Sequence, residues 1–303
     1  MKKKDIHNDF FNNIIKDKKN FIDFLRITIP EEIFREINFN FVEYDDTTYI
    51  LKRFKKYFSD IVVKTKISDK EFDIYFLIEH KSKQPTKSQL FLQLLSYMFA
   101  MWENDEKNDQ NLRVIIPIVF YHGKQKWEIP SNFLDLFNVS SDIKSYLLNF
   151  SYILFDTINL NDILKEKIKN NAILLSSLIA LKTAFKSGDI ESIKDIFKIL
   201  KEHNLIKEFD KIEIILMYIL YTKDIELEQL EELYYEEFEE DIMPSLAEKL
   251  ITKGKLEGKL EGKLEGKLEG KIETAKNLLN EGINIVIISK VTGLSITEIE
   301  KLK

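Results

Sequence analysis

Two runs rich in β-branched and aromatic residues, Ile61 to Ile67 and Phe72 to Ile78, flank the polar tetrapeptide Ser68-Asp69-Lys70-Glu71. This alternation of apolar run, turn and apolar run predicts a β-hairpin. With Asp69 and Lys70 as the two loop residues, Ser68 pairs with Glu71, and counting back sets Asp60 directly across from Glu79. Opposed residues of an antiparallel pair share a face, with Cβ atoms roughly 5 Å apart. A loop one residue longer or shorter would turn Asp60 to the other face, so the register carries the inference.

The period of two along the second strand puts Glu79 and Lys81 on one face and turns His80 away. Two carboxylates and an ammonium then converge at one end of the hairpin. Carboxylate oxygens suit a hard cation such as Mg²⁺ or Mn²⁺, which lowers the pKa of a water it holds, and an adjacent lysine can orient that water. Phosphodiester hydrolysis is the natural use of such a set. After Pro85 the pattern turns helical, with Leu90, Leu94, Tyr97 and Met101 at spacings of three and four. Gln93 and Tyr97 lie four apart on one helical face, each able to hydrogen-bond a phosphate or a base edge.

The ordered set Asp60, Glu79-x-Lys81 and Gln93-x-x-x-Tyr97 resembles the PD-(D/E)XK nuclease superfamily. The fuller text, Phe58-Ser59-Asp60, Ile78-Glu79-His80-Lys81-Ser82 and Ile116-Pro117-Ile118-Val119-Phe120-Tyr121-His122-Gly123, is similar to the Rpn family of recombination-promoting nucleases, also described as PD-(D/E)XK nuclease-family transposases. The motifs cover about residues 5 to 130, and the Gly-Lys-Leu-Glu repeats near the C-terminus also look like that family. Ser59 stands where the superfamily motif has proline. The resemblance implies an α/β fold with a restriction-endonuclease-like core, a mixed sheet flanked by helices. It implies a Mg²⁺- or Mn²⁺-dependent DNA endonuclease linked to recombination or mobile elements, with Asp60 and Glu79 as metal ligands, Lys81 catalytic, and Gln93 and Tyr97 lining the site. Family members also carry a His and an Asp near His7 and Asp9, and by that resemblance either could approach the metal; the other reading is a helix N-terminal cap and dipole partner. The alternative from another class is a non-catalytic DNA-binding or oligomeric scaffold with a degenerate core.

Composition closes other routes. No cysteine occurs, which excludes disulfides, thiolate zinc sites and cysteine nucleophiles. The histidines at 7, 80, 122 and 203 lack ligand spacing, and there is no Gly-x-Ser-x-Gly elbow or glycine-rich phosphate loop. The basic, acid-interrupted N-terminus is not a signal peptide, and no apolar run spans a bilayer, so a soluble, cytoplasmic protein is expected. The net charge of -6 is unevenly spread. Acid concentrates over Glu226 to Asp241, and base beside the candidate site, in Lys52, Arg53, Lys55, Lys56, Lys81, Lys83 and Lys87. Such basic clusters either neutralise phosphates or form a solvated surface.

In chain order, residues 5–27 are expected as one amphipathic helix, a short helix follows Pro30, and a strand-like passage through Phe39 to Tyr49 leads into the hairpin. Leu112 to Tyr121 reads as a strand buried on both faces, with a bulge or a free edge at Pro117. His122, closing that strand, is either a substrate contact or a structural histidine. Residues 1–131 form the expected nuclease domain, and 132–249 an all-helical extension. Residues 250–272 hold the Gly-Lys-Leu-Glu repeat, either a packed helix or a hydrophilic tether. Residues 273–303 form a small helical hairpin resembling a helix-turn-helix, with a turn at Gly293 and a Ser295-x-x-Glu298 capping box, and serve docking or oligomerisation.

Overall fold

The structure, a computed structural model, describes residues 6–45, 61–67, 73–205, 209–238, 272–279, 284–293 and 299. The chain forms two compact units, Met1–Glu239 and Glu240–Lys303.

The first unit opens with helices α1 (Ile6–Ile15), α2 (Lys18–Thr28) and α3 (Glu31–Glu36), followed by strand β1 (Ile37–Asp45). The single helix expected over 5–27 is broken at Asp17. Its carboxylate accepts from the Asn20 backbone N–H at 3.0 Å and caps α2, while the Asn20 amide donates to the Ile14 carbonyl at 2.9 Å and closes α1. Polar side chains thus satisfy the orphan backbone groups of both ends, and a break becomes cheaper than continuation.

Strands β2 (Ile61–Ile67) and β3 (Asp73–Lys81), helix α4 (Lys87–Lys107) and strands β4 (Val114–Tyr121) and β5 (Ile153–Asp156) complete a five-stranded sheet of order β1-β2-β3-β4-β5. β2 runs antiparallel to both its neighbours, β1 and β3, whereas β3, β4 and β5 run parallel. The register pairs Ile61 with Ile78 and Lys66 with Asp73, as the two-residue loop predicts; the loop itself and Asp60 lie outside the described residues. Pro117 pairs with Leu77 on the β3 side without a shift, and β5 begins one residue later, opposite Ile118. Of the two expectations for Pro117, the free edge holds and the bulge does not.

The sheet is covered on both faces. On the front, α4 buries Leu90, Phe91, Leu94, Tyr97, Met98 and Met101 against Val62, Tyr75, Leu77, Val119 and Tyr121. The Thr86 hydroxyl accepts from the Gln89 N–H and the Gln89 side chain accepts from the Thr86 N–H, a capping box that fixes where α4 starts. On the back, α1 and α2 press Phe11, Phe21 and Phe24 onto Phe76, Phe120 and Phe155; the Phe11 and Phe120 rings stack at 4.1 Å. Each such buried phenyl ring stabilises the fold by roughly 1.5–3 kcal/mol.

Short helices α5 (Ser141–Lys144) and α6 (Asp162–Lys167) flank β5, and α7 (Ala172–Thr183), α8 (Ile190–Glu202), α9 (Phe209–Thr222) and α10 (Leu227–Phe238) follow. The expected all-helical stretch 132–249 therefore contains a strand of the central sheet. Four residues, Ile153-Leu154-Phe155-Asp156, are too short an apolar run for periodicity to separate strand from helix. Nor is the stretch a separate appendage, because α7 and α9 pack on α1 and α2. The Asn171 amide at the start of α7 donates to the buried Asp23 carboxylate of α2 at 2.9 Å. Lys223, wholly buried, donates to the Thr183 hydroxyl at 2.8 Å and carbonyl at 3.1 Å, locking the end of α9 to the end of α7.

In the second unit, α11 (residues 272–279) and α12 (Ile285–Thr292) bury Ala275, Ile288 and Ile299 together. Gly293 has φ 71° and its N–H donates to the Ser289 carbonyl at 2.8 Å, closing α12 at the expected turn. The repeat over 254–270, the Ser295 and Glu298 capping box, the cluster Lys52 to Lys56 and the end of the acidic run, 239–241, lie outside the described residues. Among the described residues, no helix is long and apolar enough to cross a membrane.

Candidate active site

The carboxyl ends of β3, β4 and β5 point the same way, and in open α/β sheets that edge is where ligands bind. Glu79 and Lys81 stand there. Alternation along β3 sends both to the front, toward α4, and His80 to the back.

Glu79 is 2 % exposed. Its Oε1 accepts from the Lys81 ammonium and, at 2.9 Å, from the Gln93 amide nitrogen. The Gln93 amide oxygen accepts from Lys81 Nζ at 2.9 Å, and its nitrogen also donates to the Tyr97 hydroxyl at 2.7 Å. Four of the five residues singled out from the sequence thus form one hydrogen-bonded cluster. The fifth, Asp60, lies outside the described residues. The other carboxylate oxygen, Glu79 Oε2, is buried without a hydrogen-bond partner among the described residues. An unpaired anionic oxygen out of contact with water costs on the order of 1–3 kcal/mol or more, so its orientation is informative.

Gln93, half-buried, and Tyr97 stand beside Glu79 and Lys81 on the α4 face that meets the sheet. Tyr97 is 2 % exposed, and the Gln93 amide is spent on Glu79, Lys81 and Tyr97. Their place on α4 makes them the brace that holds the Glu79 and Lys81 side chains. The i,i+4 spacing put both residues on the α4 turn that meets Glu79 and Lys81.

Three of the four histidines, His7, His80 and His122, occupy the back. His122 is 1 % exposed, which removes it as a substrate contact. Its ring lies 4.8 Å from His80 and 5.4 Å from Phe185, nearly parallel to both, and His80 stacks at 5.3 Å on Phe11. His7 also packs on His122, at 4.8 Å, and shares a 2.7 Å hydrogen bond with the Tyr218 hydroxyl, so it faces the helices behind the sheet, away from Glu79. Asp9 is exposed on α1. Burial, and then the neighbouring His7, push the His122 imidazole down to about 3. Burial lowers His80 well below its ordinary value, with His122, His7 and Lys81 adding to it, and burial also lowers His7. This stack is the feature that sequence reasoning missed; its only trace was a histidine near the end of each of two strand-like runs, His80 in β3 and His122 just after β4.

Loops tighten the edge of the site. The Gln84 amide oxygen accepts from the Glu128 N–H at 2.8 Å, joining the segment after β3 to the one after β4. Among the described residues, no group of three or more His, Cys, Asp or Glu is placed to hold a metal ion. A divalent ion here would therefore be held by Glu79 together with groups outside that set.

Comparison with known proteins places the chain. It is 28 % identical over 134 residues to the inactive recombination-promoting nuclease-like protein RpnE of Escherichia coli K12, covering 44 % of each chain. It is 23 % identical over 225 residues to the recombination-promoting nuclease RpnD of Escherichia coli O157:H7, covering 73 % of this chain and 83 % of that one. Against the recombination-promoting nuclease RpnC of Escherichia coli K12 it is 25 % identical over 118 residues, 39 % of each. The chain thus spans less than half the length of RpnE and RpnC and most of RpnD. No solved structure matches. Residues 5–211, more than half of the chain, match the family model described as "Putative transposase, YhgA-like", and the chain belongs to that family.

Proposed function

We propose that this protein is a Mg²⁺- or Mn²⁺-dependent DNA endonuclease of the PD-(D/E)XK type, acting in the cytoplasm in DNA recombination or on mobile elements. The observation that carries the proposal is the Glu79 carboxylate, buried with one oxygen held by Lys81 and Gln93 and the other unpartnered among the described residues. The β2–β3 ladder ends at Ile61 and Ile78, the register expected from the sequence, and in that expected register Asp60 is the residue opposite Glu79. Two carboxylates so disposed fit a hard cation. A bound Mg²⁺ or Mn²⁺ supplies Lewis-acid stabilisation of the charge that develops on the phosphate oxygens.

The chain's own groups do the rest. Lys81 uses two of its three ammonium donors on Glu79 Oε1 and Gln93 Oε1, which leaves one for a phosphate oxygen and keeps the positive charge beside the scissile group. Gln93, braced by Tyr97, holds both side chains in one orientation before substrate arrives. Lys83 and Lys87 flank the entrance as sequence neighbours and favour an anionic polymer. The names of RpnD and RpnC as recombination-promoting nucleases support the same reading.

A second reading, a DNA-binding or oligomeric scaffold with a degenerate core, is favoured by the name of RpnE, an inactive nuclease-like protein. One experiment separates the two. Supercoiled plasmid is incubated with the wild type and with Asp60→Ala, Glu79→Ala and Lys81→Ala in the presence of Mn²⁺, with circular dichroism confirming that each variant is folded. Metal-dependent nicking by the wild type alone supports the nuclease. A wild type that binds DNA and no Mn²⁺ leaves the scaffold, and full activity in all three variants removes this site from the chemistry.

A further inference from the structure

The proposed site faces the front of the sheet, and a column of stacked rings lies behind it. Phe11 of α1, His80 of β3, His122 after β4 and Phe185 after α7 form a column of rings, with successive centroids 5.3, 4.8 and 5.4 Å apart and interplanar angles of 22°, 22° and 11°. Nε2 of His80 has no hydrogen-bond partner among the described residues, and neither His122 nitrogen makes a bond of good geometry there, the Lys81 carbonyl near the His122 ring only favouring its charged form. The near-parallel planes of His80 and His122 keep their lone pairs from converging on one point, so the stack is not built as a metal site. What it grips is backbone. His80 lies between Glu79 and Lys81, and the His122 N–H donates to the Lys81 carbonyl at 3.1 Å, adding one rung beyond the end of β3.

We infer that His122 is a positioning residue: through its stack on His80 and its bond to Lys81 it fixes the peptide planes that aim Glu79 and Lys81 into the front site. Successive Cβ atoms of a strand leave one backbone toward opposite faces, so a His80 ring packed on both sides restrains the backbone from which the Glu79 and Lys81 side chains project on the other face. The ends of β-strands fray, and Lys81 is the last residue of β3. The column ties that end to α1 and to the turn after α7, two elements that pack on each other through α7. The contribution to the site is geometric and needs a flat ring; it does not need a ring nitrogen.

The inference rests on the nuclease reading for its catalytic consequence, and on packing alone for its structural one. Two measurements on the full-length chain keep them apart. Wild type, His122→Phe, His122→Ala and Phe185→Ala are compared for nicking with Mn²⁺ and for the ¹³C resonance of the Glu79 carboxylate, assigned by its loss in Glu79→Gln. The expectation is a fall in kcat of roughly 10-fold or more with KM for DNA unchanged in His122→Ala, a smaller fall in Phe185→Ala, and recovery in His122→Phe. The Glu79 resonance should move or broaden in the two alanine variants and stay in place in His122→Phe. A Glu79 resonance unchanged in folded Phe185→Ala and His122→Ala overturns the inference, as does a folded His122→Phe as impaired as His122→Ala. If the wild type nicks no DNA, the nuclease reading falls while the carboxylate resonance still decides the role of the column.

Discussion

The amide nitrogen of Gln93 lies 2.9 Å from Oε1 of Glu79, the same oxygen that the Lys81 ammonium contacts. Both donors crowd one side of the carboxylate, and the other oxygen is turned away from them. A helix residue fourteen positions downstream therefore decides which way the β3 carboxylate points.

Removing that amide should free the carboxylate to rotate. Gln93→Leu, similar in volume and without donors, is expected to lower Mn²⁺ affinity and nicking by about 10–100-fold, the usual effect of losing a group that orients a ligand. Tyr97→Phe, which removes only the hydroxyl that accepts from Gln93, should cost less. Calorimetric Mn²⁺ titration beside the plasmid assay checks both. Wild-type affinity in Gln93→Leu would show that the carboxylate is held by something else.

The back-face histidines predict a pH dependence of stability. The His122 imidazole sits near 3 in the folded chain against 6.5 in the unfolded one, so it stays neutral in the fold while the unfolded chain takes up a proton. Its folded value is depressed and the neutral form is the native one, so stability is intact above about pH 6.5 and is lost progressively as pH falls toward 3. The slope for one such group approaches about 1.4 kcal/mol per pH unit. Between pH 7 and pH 5 the wild type should lose on the order of 2 kcal/mol more than His122→Phe, which has nothing to protonate there. Urea unfolding at the two pH values measures the difference, and equal losses would mean that the imidazole is already charged in the fold.

Much of this arrangement was legible in the sequence, and the parts that were not share a cause. The β2–β3 register followed from counting back from an expected two-residue turn, since loop length fixes which residues pair across a hairpin. Gln93 and Tyr97 joined Glu79 and Lys81 because spacing within a strand and within a helix is fixed by local geometry. The break at Asp17 was hidden because the apolar pattern of α1 and α2 runs through it, and the decisive event is a side chain bonding to backbone. β5 was hidden in a run of helical periodicity because its strand character comes from a β4 edge about thirty residues upstream. The stacking of His80 on His122 depends on the parallel pairing of β3 with β4, a long-range contact that no local pattern announces.

Far from the site, Asp105 at the end of α4 is 1 % exposed and is held by Arg113 just before β4, whose Nε lies 2.8 and 2.9 Å from the two carboxylate oxygens. The Arg113 guanidinium also covers the Tyr75 ring at 4.4 Å. Arg113→Met keeps much of the side-chain bulk and leaves a buried carboxylate without its cation, which should destabilise the fold by about 3–5 kcal/mol. Asp105→Asn with Arg113→Met should recover part of that loss, because the charge leaves together with its partner. Val114 pairs with Ile74, at the opposite end of β3 from Glu79, so nicking by folded protein at low temperature should survive. Thermal unfolding of the single and double variants tests the pair, and a single variant as stable as the wild type would place the Asp105 charge in water.

Gly123 follows the strand end that carries Tyr121 and His122. A Cβ placed there would come within 2.2 Å of the Tyr121 hydroxyl oxygen and 2.3 Å of the ring carbon that bears it. The phenol cannot swing aside, since the residue is 1 % exposed, its hydroxyl donates to the Gln125 carbonyl at 2.8 Å, and its ring packs at 4.7 Å on Trp127. Glycine is thus required for room beneath the ring. Gly123→Ala should force the 122–127 turn outward and cost about 1–3 kcal/mol, the range for overfilling a packed site. Tyr121→Leu removes the obstructing atoms, so the double variant Tyr121→Leu with Gly123→Ala should be less destabilised than the sum of its parts. Because His122 sits between the two, the shift should also reach the Lys81 carbonyl that its N–H bonds. Nicking in Gly123→Ala should accordingly fall more steeply than stability does. Additive losses in the double variant, measured by chemical denaturation, would mean that the ring and the glycine do not meet.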